Sequence, residues 1–196
     1  MTKVKICGVT TEYDAQACVD AGADFLGFVL SDSPRQVSFG QLERLSATVG
    51  ESCHRVGVFT DETDLIDFSL RCQVELDYYQ VYFDPTGINI RLPRLGLIRA
   101  HWMNGDARND LAHMPVPTLL DFKHSDVNAM RKQLAPHAVA VGNAVILAGK
   151  LTPDNVAGVI RELAPWGVDV ARGTEAAPGK KDHELVRRFV ENVRSV

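Results

Sequence analysis

Val4-Lys5-Ile6-Cys7-Gly8-Val9-Thr10 is a short apolar run that closes on a cysteine and a glycine. A helical pattern follows over residues 11–21, with Tyr13, Ala17 and Cys18 on one face. The chain then runs apolar again, as Asp24-Phe25-Leu26-Gly27-Phe28-Val29-Leu30. Strand, helix and strand in this order make a right-handed βαβ unit. Short, nearly continuous apolar runs are the habit of parallel strands buried on both faces.

The alternation continues to the last residues. Further strands are predicted over residues 55–60, 76–81, 97–102, 118–122, 145–148 and 168–171, after the first two at 4–8 and 24–30. Helices are predicted over 39–49, 62–72, 127–134, 153–163 and 183–193, with Pro153 suited to a first helical turn. Between Asp84 and Leu95 the turn signals Asp84-Pro85 and Thr86-Gly87, with Pro93 beyond, leave the fourth helix shortened or missing. Eight such units suggest a compact α/β fold, a (β/α)8 TIM barrel, with an open doubly wound sheet as the alternative. The 196 residues suit one domain, 1–196, with no linker or low-complexity segment dividing it.

Bulk properties narrow the function. Hydrophobic residues make up 45% of the chain, and 21 basic against 25 acidic residues give a net charge of -4, so no bulk attraction to nucleic acid is expected. No apolar run is long enough to span a membrane. The basic opening, Met-Thr-Lys-Val-Lys, runs straight into a strand without the apolar stretch or cleavage site of a signal peptide, and the expected location is the cytoplasm. Of the four cysteines, Cys18, Cys53 and Cys72 read as packing residues. Cys7 differs because its strand ends there and a glycine follows.

Strand ends and the loops after them are where a barrel keeps its chemistry. Cys7 ends the first strand, and Ser33-Pro34-Arg35-Gln36-Val37-Ser38 follows the second. A thiol and a guanidinium at successive strand ends read as a base and an anion clamp. Histidines His113, His124, His137 and His183 are scattered, with no two at metal-ligand spacing. No Gly-rich nucleotide loop of the P-loop kind is present.

These segments resemble phosphoribosylanthranilate isomerase, a family of tryptophan-biosynthesis enzymes. The resemblance is carried by Lys5-Ile6-Cys7-Gly8-Val9-Thr10, Ala21-Gly22-Ala23-Asp24, Gly27-Phe28-Val29 and Ser33-Pro34-Arg35. It continues through Val56-Gly57-Val58-Phe59, Leu119-Leu120-Asp121, Leu147-Ala148-Gly149, Leu151-Thr152-Pro153-Asp154-Asn155-Val156, Gly167-Val168-Asp169-Val170 and Pro178-Gly179-Lys180-Lys181-Asp182. The motifs keep their order over nearly the whole chain.

The resemblance implies a barrel, and an Amadori rearrangement of N-(5-phosphoribosyl)anthranilate to 1-(2-carboxyphenylamino)-1-deoxyribulose 5-phosphate. It implies Cys7 as general base, Asp121 as general acid and Arg35 on the anthranilate carboxylate, without metal or organic cofactor. The partner is then a small phosphorylated substrate, with no nucleic acid or membrane, and the chain a monomer or homodimer. Gly149 and Gly173 are expected to present backbone amides to the phosphate. The chain departs from the family where Phe122-Lys123-His124-Ser125-Asp126 lacks the glycine-rich loop, and where Gly149-Lys150 replaces a glycine pair. It departs again where Ala171-Arg172 replaces small hydroxyl residues, and Gln80-Val81-Tyr82-Phe83 replaces Gln-Leu-His-Gly. Lys150 and Arg172 are therefore expected to supply charge to the phosphate site. Two other functions stay open: an isomerase of a different aminosugar phosphate, and a noncatalytic barrel binding an anion. The plainer readings of the site residues are a strand-end filler for Cys7, a turn cap for Asp121 and a solvated loop arginine for Arg35. Trp102 is placed either to stack on an aromatic substrate or to pack as a core residue.

Overall fold

Each apolar run finds a parallel neighbour. In the computed structural model, residues 1–91, 93–103, 117–134 and 144–196 are described, so two of the scattered histidines, His113 and His137, lie outside the described residues. The strands are β1 (Lys3–Cys7), β2 (Phe25–Val29), β3 (His54–Phe59), β4 (Tyr78–Val81), β5 (Gly96–Met103), β6 (Thr118–Phe122), β7 (Val145–Ala148) and β8 (Gly167–Val170). They close in sequence order into a barrel, all parallel. The open-sheet alternative is excluded by the seam itself, where β1 pairs with β8 from Lys3↔Gly167 to Ile6↔Val170.

Helices α1 (Glu12–Asp20), α2 (Phe39–Thr48) and α3 (Glu62–Arg71) follow the first three strands. Then α4 (Val127–Leu134), α5 (Pro153–Leu163) and α6 (His183–Arg194) follow β6, β7 and β8. Residues 82–91 and 93–95, between β4 and β5, contain no helix, in line with the turn signals there. Polar side chains start the helices where the sequence supplies them. Thr11 accepts from the Asp14 amide, Ser38 and Gln41 form a capping box, and Asp182 accepts from the amides of Glu184 and Leu185.

Alternation along the strands divides the apolar residues into two clusters. Val4, Ile6, Leu26, Phe28 and their like pack outward beneath the helices. Cys7, Phe25, Val56, Ile98, Leu119 and Ile146 belong to the separate lumen cluster. Completely burying each large apolar side chain is worth about 1.5–3 kcal/mol, so both clusters hold the strand register firmly. At the N-terminal ends of the strands Phe25 packs against His54, Tyr78 and Trp166, with ring centroids 5.2, 5.9 and 5.8 Å away. These rings plug the bottom of the barrel, and the functional groups gather at the opposite mouth.

The chain adds one feature that sequence periodicity did not predict. After β8 a 3-10 turn (Arg172–Thr174) leads into a small hairpin of β9 (Glu175–Ala177) and β10 (Lys180–Lys181). Gly179, at φ +77, makes its tight turn in the left-handed region that glycine tolerates. The Gly179 carbonyl accepts from the Thr10 hydroxyl, which ties the hairpin to the loop after β1.

Candidate active site

The seam between β1 and β8 places opposite charges side by side inside the barrel. Lys5 and Asp169 are register partners, and the Lys5 Nζ lies 2.7 Å from Asp169 Oδ1. Their side chains are 1% and 11% exposed, so water screens this pair weakly. Two residues along β1, on the same strand face as Lys5, is Cys7. Its β2 neighbour is Gly27, and a Cβ there would sit 2.8 Å from Cys7 Sγ and 3.0 Å from Lys5 Nζ. The thiol and the ammonium thus converge on space that a glycine leaves open.

Burial pushes the Cys7 thiol up, and the pull of Lys5 and Lys181 in the other direction does not overcome it. The neighbouring cations therefore do not activate the thiol in the unliganded protein, because loss of water outweighs them. Burial also opposes the charge on Lys5, but Asp169 and Cys7 facing it bring its pKa above the ordinary lysine range.

Asp121 lies on β6 and faces a cavity of about 110 Å³ that Gly149, Lys150, Asp169, Arg172 and Gly173 also line. Burial, followed by the like charge of Asp169, raises its carboxyl to about 6, against weaker pulls from Tyr82, Arg172 and Lys5. The Tyr82 hydroxyl donates to Asp121 Oδ2 at 3.4 Å and accepts from Gln80 Nε2 at 3.2 Å. Burial, with Asp121, Asp169 and Cys7 nearby, holds the Tyr82 phenol far above its usual range, so it stays a donor. Trp102 stacks on the Tyr82 ring at 4.2 Å and 23° and remains 51% exposed at the mouth. It is therefore not a core aromatic.

Arg35 reaches the mouth from the loop after β2. Its Nε and Nη2 donate to the two oxygens of Glu175 at 2.8 and 2.7 Å. The solvated-loop reading is set aside, since Arg35 is 17% and Glu175 4% exposed in the side chain. The Arg35 stem crosses Gly8, where a Cβ would stand 2.5 Å from Arg35 Cδ. Lys181, wholly buried, donates to the Cys7 carbonyl at 2.7 Å, the Ala171 carbonyl at 3.1 Å and Glu175 Oε1 at 3.2 Å. The hairpin thereby fixes Arg35 and the end of β1 together.

On the far side of the cavity two glycines let backbones meet. A Cβ on Gly149 would fall 2.3 Å from the Phe122 carbonyl oxygen, and one on Gly173 1.9 Å from that of Leu151. Lys150 adopts φ +48, a backbone region that an L-residue enters at a cost. Lys150 and Arg172 are both exposed beside the cavity.

All seven site residues read from the sequence thus lie at the C-terminal mouth, where Cys7, Asp121 and Arg35 come from three different strands or the loops after them. The sequence analysis gave no role to Lys5, Asp169, Tyr82, Glu175 or Lys181. Two of these carried a signal: Val4-Lys5-Ile6 and Val168-Asp169-Val170 each set one charge inside an apolar strand, with opposite signs. Among the described residues, no three His, Cys, Asp or Glu side chains come together as metal ligands would.

A parallel (β/α)8 barrel with ionisable groups collected at its C-terminal mouth defines an enzyme of the barrel class. Comparison with known proteins narrows the class. The family model for N-(5'-phosphoribosyl)anthranilate (PRA) isomerase matches residues 4–192. A protein of that name from Trichlorobacter lovleyi is 34% identical over 202 residues, covering 99% of this chain and 98% of its own. The crystal structure of phosphoribosyl anthranilate isomerase from Thermotoga maritima covers 100% of both chains with a TM-score of 0.84 at 31% identity. A further phosphoribosyl anthranilate isomerase structure, in complex with reduced 1-(o-carboxyphenylamino)-1-deoxyribulose 5-phosphate, covers 100% of both chains with a TM-score of 0.80 at 29% identity. The chain belongs to the phosphoribosylanthranilate isomerase family.

Proposed function

We propose that the protein isomerises N-(5-phosphoribosyl)anthranilate to 1-(2-carboxyphenylamino)-1-deoxyribulose 5-phosphate in tryptophan biosynthesis, with Cys7 and Asp121 as its acid–base pair. The observation that carries this reading is the Asp121 carboxyl, raised to about 6 beside a cavity at the mouth. A group poised there gives up a proton near neutral pH, as a general acid must.

The substrate lies with its sugar between β1 and β6. Asp121 protonates the ribose ring oxygen as the anthranilate nitrogen pushes its lone pair toward C1, and the ring opens to an imine. The Cys7 thiolate removes the proton from C2, giving an enolamine. Return of a proton to C1, with loss of the proton on the C2 hydroxyl, leaves the ketone. Proton transfers account for every step. Fixed donors and buried charges around the sugar supply the remaining stabilisation.

Arg35 holds the anthranilate carboxylate. Glu175 takes the Nε edge of its guanidinium and so aims the other N–H groups, a use of the five-donor fork that lysine lacks. The phosphate sits over Gly149 and Gly173, with Lys150 and Arg172 adding full charges where the family's glycine-rich loop is absent. The exposed Trp102 face offers the anthranilate ring a stacking surface. The chain works as one domain, 1–196, in the cytoplasm, as a monomer or homodimer. No helix among the described residues is long and apolar enough to cross a membrane.

The test is to follow the fluorescence of freshly made phosphoribosylanthranilate after adding the purified protein. Rapid loss that saturates with substrate is expected. No loss above the uncatalysed rate refutes the reading, and turnover of a different aminosugar phosphate instead would reassign the substrate while leaving the acid–base pair.

A further inference from the structure

The proposed chemistry needs a thiolate at Cys7 and a protonated carboxyl at Asp121. In the unliganded protein the thiol is raised by burial above its ordinary value of 9.0, while Asp121 titrates at about 6. Near neutral pH the single proton of the pair therefore rests mostly on the sulfur, the wrong partner. Something has to favour its transfer, and the lumen contains one arrangement of the right polarity.

That arrangement is the Lys5–Asp169 ion pair. Lys5 shares a strand face with Cys7, and both side chains converge on the hollow at Gly27. Asp169 lines the same small cavity as Asp121. The pair is closed at 2.7 Å and nearly dry. We infer that this buried ion pair is a fixed dipole that drives the proton from Cys7 to Asp121, its ammonium end favouring the thiolate and its carboxylate end disfavouring a second carboxylate. In the transfer the S–H bond breaks and an O–H bond forms. The electron pair stays on sulfur, and the charge on the Asp121 oxygen is neutralised, so net charge is unchanged.

Other charges face the two groups, but each is occupied or screened. Around Cys7 stand Lys181 from β10, Arg35 from the loop after β2 and the phenol of Tyr82 after β4. Lys181 binds Glu175 and two carbonyls, and Arg35 is neutralised by Glu175. Around Asp121 stand Tyr82, Arg172 from the 3-10 turn and, on the cavity wall, Lys150. Both of these cations are solvent-exposed, where screening weakens them. The Lys5–Asp169 pair combines both signs, burial and proximity to each reacting side. Lys5 and Asp169 are positioning residues, since neither is asked to touch the reacting carbons.

This inference rests on the proposed acid–base roles and predicts a particular pH profile. The active form carries its proton on the more acidic group. The acidic limb of kcat/KM against pH then follows Asp121 and the alkaline limb follows Cys7, the inverse of what the roles alone suggest. Each unit by which the two midpoints move apart lowers the correctly protonated fraction about tenfold.

The experiment compares wild type, Asp169→Asn and the double variant Lys5→Met with Asp169→Asn. Neutralising both partners avoids the buried lone charge that destabilises a half-removed pair. Asp169→Asn leaves Lys5 charged but keeps a hydrogen-bond acceptor for it, and is a second, isosteric change. The rate of Cys7 alkylation by iodoacetamide is measured against pH by peptide mapping, beside the pH dependence of kcat/KM. In the double variant the alkylation midpoint should rise by about one unit and the acidic limb of kcat/KM fall by about one unit, with the plateau down about a hundredfold. In Asp169→Asn, where Lys5 is unopposed, both midpoints should fall. A lower plateau with unmoved midpoints in both variants would assign the pair a purely structural role and overturn the inference. Alkylation reads the sulfur without substrate. A wild-type protein lacking isomerase activity therefore refutes the proposed function, whereas an active enzyme whose alkylation midpoint ignores these substitutions refutes the dipole.

Discussion

Replacing Asp121 by Asn should make the protein more stable at neutral pH while removing its activity. The carboxyl is raised from an ordinary 3.8 to about 6, with burial as the main cause and Asp169 second. In the denatured chain the same group titrates near the ordinary value. Between about pH 4 and pH 6 the native state therefore binds more protons than the denatured one, and stability falls as pH rises through that window. Above pH 6 the full cost of holding an ionised Asp121 is present. Two pH units correspond to up to ~3 kcal/mol. An asparagine keeps the shape, still accepts from the Tyr82 hydroxyl and carries no charge, so it removes that cost. Urea denaturation at pH 7.5 should show the variant's midpoint higher by about 1 M, given slopes of about 1–3 kcal/mol per molar. At pH 4, where the native carboxyl is already protonated, the difference should nearly vanish. Turnover should fall by at least about 10²-fold, because an amide cannot donate an acidic proton. A variant no more stable than wild type at pH 7.5, or equally stabilised at pH 4, would refute the claim that Asp121 is held in a charge-rejecting site.

The other predictions concern the base, the clamp and the phosphate side. Cys7→Ala should stay folded, since the side chain is small and buried, and lose at least about 10²-fold in turnover, read by the fluorescence assay alongside circular dichroism. Arg35→Ala should chiefly raise KM; an unchanged KM in steady-state kinetics would release Arg35 from the carboxylate. Inorganic phosphate should inhibit competitively, and Lys150→Ala with Arg172→Ala should weaken that inhibition strongly, more so at low than at moderate salt. Equal inhibition constants for the two proteins would turn both cations out to solvent.

The strands were legible because their signal is local: a continuous apolar run bounded by glycine or a polar turn needs no partner to be recognised. Predicted and observed strand bounds differ by at most two residues, the largest shift being β4, which starts at Tyr78 rather than at residue 76. Leu76 is buried all the same, and Asp77 beside it is held by Arg55 and Arg94 instead of joining the strand. The hairpin was illegible because Glu175–Ala177 and Lys180–Lys181 are too short for a period and mostly polar. Its formation depends on Glu175 meeting Arg35, which lies 140 residues earlier in the chain. Cys7 and Arg35 could be named because one ends a strand and the other follows one, whereas Asp121, one residue inside the end of β6, could be named from the family resemblance. What could not be read was the balance among them. Whether Lys5 or burial dominates at Cys7 depends on how much water the closed lumen excludes, and no spacing in the sequence reports that.

The two sides of the mouth follow different physical logic: strand register fixes one, and loops build the other. The acid–base side is built from strand residues whose neighbours are fixed by register: Lys5 against Asp169, Cys7 against Gly27, Asp121 against Ala148. A change at any of these meets a packed lumen, and a Cβ at Gly27 would collide with both Cys7 and Lys5. The phosphate side is built from the loops after β7 and β8, where Lys150 and Arg172 are exposed beside the cavity and meet no such constraint. An anion can be held there by backbone amides at close range or by flexible cations at longer range. Exchanging one for the other alters salt sensitivity and loop rigidity without disturbing the barrel. Lys150 carries a charged side chain on a left-handed backbone that suits glycine better. Lys150→Gly should therefore relieve strain and stabilise the loop while weakening phosphate binding. Stability that falls instead, measured by urea denaturation, would show that the lysine side chain contributes packing that outweighs its backbone strain.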